Sequence, residues 1–292
     1  MLRYISRQRR KKRSKKRTTR KWKSRGGNPP KVFNFYNKYH YGDNILNLKF
    51  LYNISEVLKL KNIHINYYYD QEYCKNKPEL DRYIHPNNSV TLMSIKDITP
   101  GAIELWMSNP IGDVTQKVLD KYYNVFYKQI LNTLGLNDMN INTSLYQPEP
   151  YLQDIYNKID PKFHDLDILI INAEPKSGQV VYHKDAFNKM CIRLASKFNV
   201  ATTMPVDPSI KCTMDSNLML QDIGAISTHA KYIIGIHSGP VTTCFNSKTK
   251  ESVKKWILFA DNDTKHEEIN ALIAKSNYDV GTIEKNINEI KI

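Results

Sequence analysis

The chain has 292 residues, 41% of them hydrophobic and 11% aromatic, which is enough apolar material for one large or two small domains. The formal net charge of +14 comes from residues 1–25, which contain 14 lysines and arginines and no acidic residue. After residue 25 the chain carries 29 basic and 29 acidic groups and is formally neutral. The composition therefore excludes the interpretation of the whole protein as a basic nucleic-acid binder.

Residues 1–25 are predicted to form a disordered tail, because they lack the apolar residues of a core and repel one another. The segment 26–30, Gly-Gly-Asn-Pro-Pro, breaks any helix, so residues 1–30 are assigned to the tail and the ordered body is expected from Lys31. Three roles remain open for the tail: nuclear import or contact with nucleic acid, contact with anionic lipid, and simple solubilisation.

The cysteines and the apolar runs predict a cytoplasmic protein, with nuclear import through the tail as the open alternative. The four cysteines are far apart and form no C-x-x-C pair, which favours reduced thiols over a disulfide framework or a zinc ribbon. No apolar run approaches the ~20 residues of a transmembrane helix. No apolar run follows the N-terminal charges, so no secretory signal is expected.

Residues 31–160 alternate short apolar runs with amphipathic stretches, which predicts a first α/β lobe. Its predicted strands are residues 32–36, 63–69, 90–95 and 103–107. Its predicted helices are residues 44–61, a long helix from a cap at Asp113 to Gly135, and residues 151–159. The polar stretch 137–150 is expected to connect this lobe to a second one.

The same alternation restarts in residues 161–292 and predicts the second lobe. Its predicted strands are residues 168–172, 200–203, 210–213, 232–236 and 256–260, and its predicted helices are residues 184–198, 215 to about 230, and 264–275. We therefore predict an α/β fold of two Rossmann-like lobes with mainly parallel sheets, preceded by the disordered basic tail.

The first segment that is able to carry chemistry is Tyr41-Gly42-Asp43-Asn44, between the first strand and the first helix. Ligands of open parallel sheets bind at the carboxyl ends of the strands, where this segment lies. One interpretation makes Asp43 a base that faces the cleft between the lobes and takes a proton from a hydroxyl nucleophile. The alternative is that Asp43 or Asn44 only caps the helix.

Two further segments follow strands of the second lobe. In residues 172–179, Lys176, Ser177, Gly178 and Gln179 suit an anion such as a phosphate, although no Walker motif is present and an ordinary turn is the alternative. In residues 233–243, a buried strand enters the turn His237-Ser238-Gly239-Pro240, and Ser238 and Thr242 offer hydroxyl groups. A helix beginning there presents free N–H groups to a diphosphate, and a simple capped helix entry is the alternative.

No metal site is predicted. The two D-x-D triplets, Asp165-Leu-Asp167 and Asp261-Asn-Asp263, are weak patterns in a chain with 29 acidic residues. The metalloprotease and serine-hydrolase signatures H-E-x-x-H and G-x-S-x-G do not occur.

Together and in this order, the segments resemble the GT-B glycosyltransferases, and in particular the heptosyltransferase-like glycosyltransferase family nine. In that family a Gly-Asp pair follows the first strand and begins the first helix, as Gly42-Asp43 does here. Near the C-terminus the family has a helix, an apolar strand and Asp-Ser-Gly-Pro, which residues 218–240 match except at one position. His237 stands where the family has aspartate, and Thr242 stands where it has histidine.

The resemblance implies that residues 31–160 form the acceptor side, with Gly42 and Asn44 near the acceptor, and that residues 161–292 bind a nucleotide sugar. It implies Asp43 as the catalytic base and Ser238 and Gly239 as contacts of the donor phosphates. The implied reaction is metal-independent transfer of a sugar to a hydroxyl acceptor such as a glycan, with the nucleotide sugar as substrate and no cofactor.

Two hypotheses from other classes compete with a transferase. The first is a catalytically inactive two-lobed binding protein that its basic tail positions. The second is a nucleic-acid-binding protein led by residues 1–25, against which the neutral body argues.

Overall fold

The computed structural model describes residues 28–106, 118–176, 182–260 and 265–275. Residues 1–27 of the predicted tail, the predicted cap at Asp113 and the second D-x-D triplet lie outside these residues. Within them, no helix combines the length and the apolar character that crossing a bilayer requires.

The first lobe contains a four-stranded parallel sheet in the order β3-β2-β1-β4. Its strands are β1 (Lys31–Asn37), β2 (Ile63–Tyr69), β3 (Val90–Ser94) and β4 (Ile103–Glu104). Its helices, with the connecting helix α5, are α1 (Tyr41–Asn53), α2 (Ser55–Leu60), α3 (Lys77–Asp81), α4 (Leu119–Leu134) and α5 (Leu152–Tyr156).

Two helix ends in this lobe have clear local causes. Gly135 adopts φ +71° and ends α4, as predicted, because glycine enters the left-handed region without steric cost. The predicted helix 44–61 is wrong as a single helix, since α1 and α2 meet at Ile54. There the buried Ser55 hydroxyl donates to the Leu51 carbonyl at 2.8 Å, a side-chain bond that tends to bend helices.

The second lobe contains a six-stranded parallel sheet in the order β10-β9-β8-β5-β6-β7. Its strands are β5 (Ile168–Ile171), β6 (Val200–Thr202), β7 (Lys211–Cys212), β8 (Tyr232–Ile236), β9 (Lys255–Ala260) and β10 (Ala271–Lys275). Its helices are α6 (Lys184–Ala195), α7 (Leu220–Ser227), α8 (Gly239–Thr242) and α9 (Ser247–Ser252). The predicted two-lobed α/β fold with parallel sheets is confirmed, and the domain boundary at residue 160 stays a prediction.

Two predicted helices of the second lobe are wrong. Residues 271–275 form the edge strand β10, because pairing along β9 satisfies their backbone groups and overrides the helix propensity of Ala, Leu and Lys. The helix predicted from Asp215 begins only at Leu220, since Asn217 adopts φ +52° and interrupts it. Asp222, in the first turn of α7, accepts a hydrogen bond from the Met219 N–H at 2.8 Å.

The two lobes pack directly against each other. One cluster of buried apolar side chains runs from Phe35 and Leu48 of the first lobe to Val241 and Phe245 of the second. The Lys49 ammonium on α1 lies 2.6 Å from the Glu149 carboxylate and donates to the Phe245 carbonyl at 3.0 Å, in a fully buried position. These contacts hold α1 against the segment that follows α8 and so help to position the site described next.

Candidate active site

A cavity of about 420 Å³ lies where the lobes meet. All three segments singled out in the sequence contribute to its wall, through residues 41–43, 175–176 and 237–240. Each segment follows a strand, namely β1, β5 and β8, so the cavity lies at the carboxyl ends of parallel strands, where ligands of such sheets bind.

Two glycines allow the segments from opposite lobes to approach closely. A Cβ atom at Gly42 would lie 3.0 Å from the Gly239 Cα and 3.3 Å from the Thr242 methyl group. A side chain at position 42 would therefore push α1 away from α8. Gly42 therefore allows the backbones of α1 and α8 to approach each other at the cavity.

Asp43 lies in the first turn of α1, on the cavity wall. The residue at the N-cap position is His40, so Asp43 and Asn44 are not the N-cap. Burial raises the pKa of the Asp43 carboxyl to about 6, against the opposing effects of His40 and of the Asp43 backbone N–H. Such a carboxylate is largely ionised at neutral pH and is a stronger base than an ordinary aspartate.

Asn44 was predicted beside the acceptor, and the structure places it beneath the cavity wall. Its side chain is fully buried and donates to the backbone carbonyls of Tyr39 at 3.1 Å and His40 at 3.0 Å. It also accepts a hydrogen bond from the Tyr67 hydroxyl at 3.0 Å. Asn44 therefore holds the turn that carries Asp43.

On the second lobe, the loop after β5 brings Lys176 to the cavity. Ser177, Gly178 and Gln179 lie outside the described residues. Glu174 also lines the cavity, and both Glu174 and Lys176 are exposed. The sequence reasoning missed Glu174, because an acidic residue in a loop gives no signal of its own.

The turn after β8 contributes two polar atoms that are buried and have no hydrogen-bond partner among the described residues, the Ser238 Oγ and the His237 Nε2. Burial and the neighbouring His266 lower the pKa of His237 to about 3, so its imidazole is neutral at physiological pH. The Thr242 hydroxyl donates to the Gly239 carbonyl at 2.6 Å and lies on the same wall.

Behind this wall lies a buried carboxylate that the sequence did not reveal. Asp120, at the start of α4, accepts hydrogen bonds from the Tyr146 hydroxyl, the His266 Nδ1 and the two backbone N–H groups of residues 267–268, at 2.7 to 3.0 Å. Burial acts to raise the pKa of Asp120, but these hydrogen bonds outweigh it and hold the pKa below its usual range. The His266 ring lies 5.9 Å from the His237 ring, so this cluster supports the wall from behind.

The described residues contain no group of three or more His, Cys, Asp or Glu side chains able to hold a metal ion. In the first D-x-D triplet, Asp167 is paired with Lys231 at 2.7 Å and accepts from the Asn199 N–H at 2.9 Å, which is a structural role. The predicted absence of a metal and of a cofactor stays a prediction.

Two parallel α/β lobes with a cavity between their strand ends define the GT-B class of fold, and two solved structures with TM-scores above 0.5 support this assignment. The structure of the E. coli heptosyltransferase WaaC with ADP-2-deoxy-2-fluoro heptose superposes with a TM-score of 0.55, 8% identity, and coverage of 89% of this chain and 100% of that one. The same enzyme with ADP gives a TM-score of 0.53, again 8% identity, and coverage of 88% and 99%. The glycosyl transferase family 9 protein from Veillonella parvula gives a TM-score of 0.45, 14% identity, and coverage of 91% and 93%.

At the level of sequence, no family model and no curated protein matches the chain. The similarity to the heptosyltransferase is therefore a similarity of fold, and it covers the whole length of the heptosyltransferase chain. For the fold, the resemblance to the GT-B glycosyltransferases stated from the sequence is confirmed.

Proposed function

We propose that this protein is a glycosyltransferase that moves a sugar from a nucleotide-activated donor to a hydroxyl acceptor, with Asp43 as the base. The observation that carries the proposal is the cavity itself. It brings a carboxylate whose pKa is raised to about 6, from one lobe, to the same space as Lys176 and Ser238 from the other. The solved structures of similar fold hold ADP and an ADP-sugar analogue, which supports a nucleotide sugar as the donor.

In the proposed reaction the acceptor oxygen attacks the anomeric carbon, and the bond from that carbon to the diphosphate oxygen breaks. Asp43 takes the proton of the attacking hydroxyl. The diphosphate leaves with added negative charge, which the Lys176 ammonium and the Ser238 hydroxyl stabilise. Lys176, Ser238, Gly239, His237 and Thr242 thus form the donor side, and the proposed reaction uses no metal.

Two further parts of the proposal concern the surroundings of the enzyme. We infer a cytoplasmic protein, because the cysteines form no disulfide-like pattern. The 14 cations of residues 1–25 are proposed to hold the enzyme against an anionic surface or a nucleic acid.

The experiment is a melting-temperature screen of the full chain with nucleoside diphosphate sugars, each matched with its nucleoside monophosphate. A donor at 100 times its Kd stabilises the protein by about 2.7 kcal/mol, which is a measurable shift. We expect one diphosphate sugar to raise the melting temperature and its monophosphate to have little effect. Lys176→Ala should reduce the shift, and EDTA should leave it unchanged; no shift with any donor would refute the proposal.

A further inference from the structure

The two walls of the cavity differ in chemistry, and this difference bears on the acceptor. The wall from the second lobe carries Lys176 and the polar turn after β8. The wall from the first lobe is built mainly from aromatic and apolar side chains around Asp43, namely Tyr41, Leu46, Tyr73, Leu119 and Tyr123. The inference drawn here rests on the proposed function, in which the donor binds to the wall from the second lobe. The wall from the first lobe then faces the acceptor.

Tyr73 presents an aromatic ring at the rim of this wall. It is 55% exposed, and its ring lies 4.9 Å from the His40 ring in an edge-on arrangement. An exposed aromatic face removes apolar area from water when a ligand covers it, and its negative π surface attracts polarised C–H bonds. The face of a sugar ring offers such C–H bonds.

The charges around this wall are unfavourable for an anionic acceptor. Among the described residues that line the cavity, Lys176 is the one lysine or arginine, and it lies on the donor wall. Residues 70–81, which carry Tyr73, contain four acidic residues and two lysines. Of the nearby lysines, Lys38 is paired with Glu104 at 3.3 Å and Lys77 with Asp81, and Lys75 does not line the cavity.

We propose that the acceptor is an uncharged sugar ring that lies on Tyr73 and presents a hydroxyl group to Asp43. A phosphorylated or carboxylated acceptor would bring a second negative charge close to the Asp43 carboxylate. Like charges in such a site repel one another strongly unless a cation compensates them, and the described part of this wall contains no lysine or arginine.

The test is ligand-detected NMR binding to the full chain with matched pairs of small glycosides. Methyl glucoside is compared with methyl glucuronide, and methyl galactoside with its 6-phosphate. We expect the neutral member of a pair to bind at least tenfold more tightly than the charged member. Equal or tighter binding of the charged members, or no binding of any neutral glycoside, would overturn the proposal.

Variants separate stacking from charge. Tyr73→Ala should weaken binding of the neutral glycoside about tenfold, while Tyr73→Phe should retain it, because the aromatic face is kept. Ile192→Ala, at a residue that is 48% exposed on α6, is the matched control and should change nothing. Asp43→Asn should improve binding of the charged glycosides, which a purely structural role of Asp43 does not predict. If Tyr73→Ala binds the neutral glycoside as tightly as the unmodified protein does, the sugar does not stack on Tyr73.

Failure of this inference is distinguishable from failure of the proposed function. If no nucleotide sugar binds but neutral glycosides bind at Tyr73, the transferase proposal fails, while the proposed binding of an uncharged sugar ring to Tyr73 is retained. If a nucleotide sugar is turned over but its sugar is transferred only to acidic acceptors, the transferase stands and this inference fails.

Discussion

Two carboxylates near the cavity have opposite electrostatic environments. Asp43 is partly buried with little compensation, and this burial raises its pKa to about 6. Asp120 is also buried but accepts four hydrogen bonds, and these hold its pKa below the usual range. A group with a raised pKa suits proton transfer, whereas one with a lowered pKa suits a structural charge.

The pKa of Asp43 predicts the pH dependence of turnover. A base must be ionised to accept a proton, so kcat/KM should rise with pH and level off above an inflection near 6. The measurement is a pH–rate profile of nucleotide-sugar turnover with the full chain. An inflection near the ordinary aspartate value of about 4 would show that Asp43 is not the titrating base.

The same two groups predict opposite effects on stability. Ionised Asp43 destabilises the fold above its folded pKa, so Asp43→Asn should raise the melting temperature at pH 7.5, and this gain should vanish below about pH 4. Asp120 contributes stability above its unfolded pKa, so Asp120→Asn should lower the melting temperature at pH 7.5. That loss should shrink as the pH falls below about 4. Shifts of the same sign in the two variants would contradict these assignments.

At the scale of residues, the sequence predicted the site residues that directly follow strands. It missed those that reach the site only through tertiary packing. Asp43, Lys176 and Ser238 follow β1, β5 and β8, and the parallel sheets carry all three to one cavity. Asn44 lies inside α1, which begins three residues earlier than predicted, and at this spacing it shares the buried face of Leu48 and Leu51. Asp120 lies far from His266 in sequence and gave no local signal.

At the scale of elements, α1 is one of the ties between the lobes, because its Lys49 ammonium donates to the Phe245 carbonyl of the second lobe at 3.0 Å. The Lys49–Glu149 pair is buried, with side chains 1% and 3% exposed, and the Tyr151 hydroxyl donates to Glu149 at 2.9 Å. A buried pair of this kind is costly to break on one side only, because the remaining charge is left in a nonpolar environment.

Lys49→Met should therefore lower the free energy of unfolding by about 3–5 kcal/mol, measured by urea denaturation. Adding Glu149→Gln should recover most of the loss, because both charges are then gone. The matched control is Lys121→Met, whose 2.8 Å pair with Glu267 is half-exposed and should contribute less than about 1 kcal/mol. A loss at Lys49 as small as that at Lys121 would show that the buried Lys49–Glu149 pair does not stabilise the fold.

Elements with a distinct sequence pattern were predicted well. Elements whose secondary structure depends on pairing with a neighbouring strand were not. Strands β2 and β8 have the predicted bounds, since β2 begins with alternating apolar and polar residues and β8 is a short apolar run. Strand β10 was mistaken for a helix, because its residues favour a helix locally and only the edge of β9 makes them a strand.

At the scale of the whole molecule, charge and chemistry are separated along the chain. Residues 1–25 hold the excess of positive charge, while the cavity belongs to the formally neutral body. We therefore propose that the tail bears on where the protein is held rather than on what it does.

Deleting residues 1–25 should leave the melting temperature and turnover unchanged and should abolish salt-sensitive retention on an anionic partner. Binding to duplex DNA and to vesicles containing phosphatidylserine, each measured at two salt concentrations, identifies the partner. Lost turnover in the truncated chain would contradict the separation of tail and site.

The proposal places the catalytic base on the first lobe and the donor-binding residues on the second. Turnover and donor binding in two variants, one from each wall of the cavity, test it most directly. The measurement is release of nucleoside diphosphate from the nucleotide sugar that stabilises the full chain, together with the Kd of that donor. We predict that Asp43→Asn lowers turnover about 10²–10⁴-fold and leaves the Kd unchanged, while Lys176→Ala raises the Kd. Full turnover in Asp43→Asn, or no turnover in the unmodified protein, would contradict the assignment of this cavity as a glycosyltransferase site.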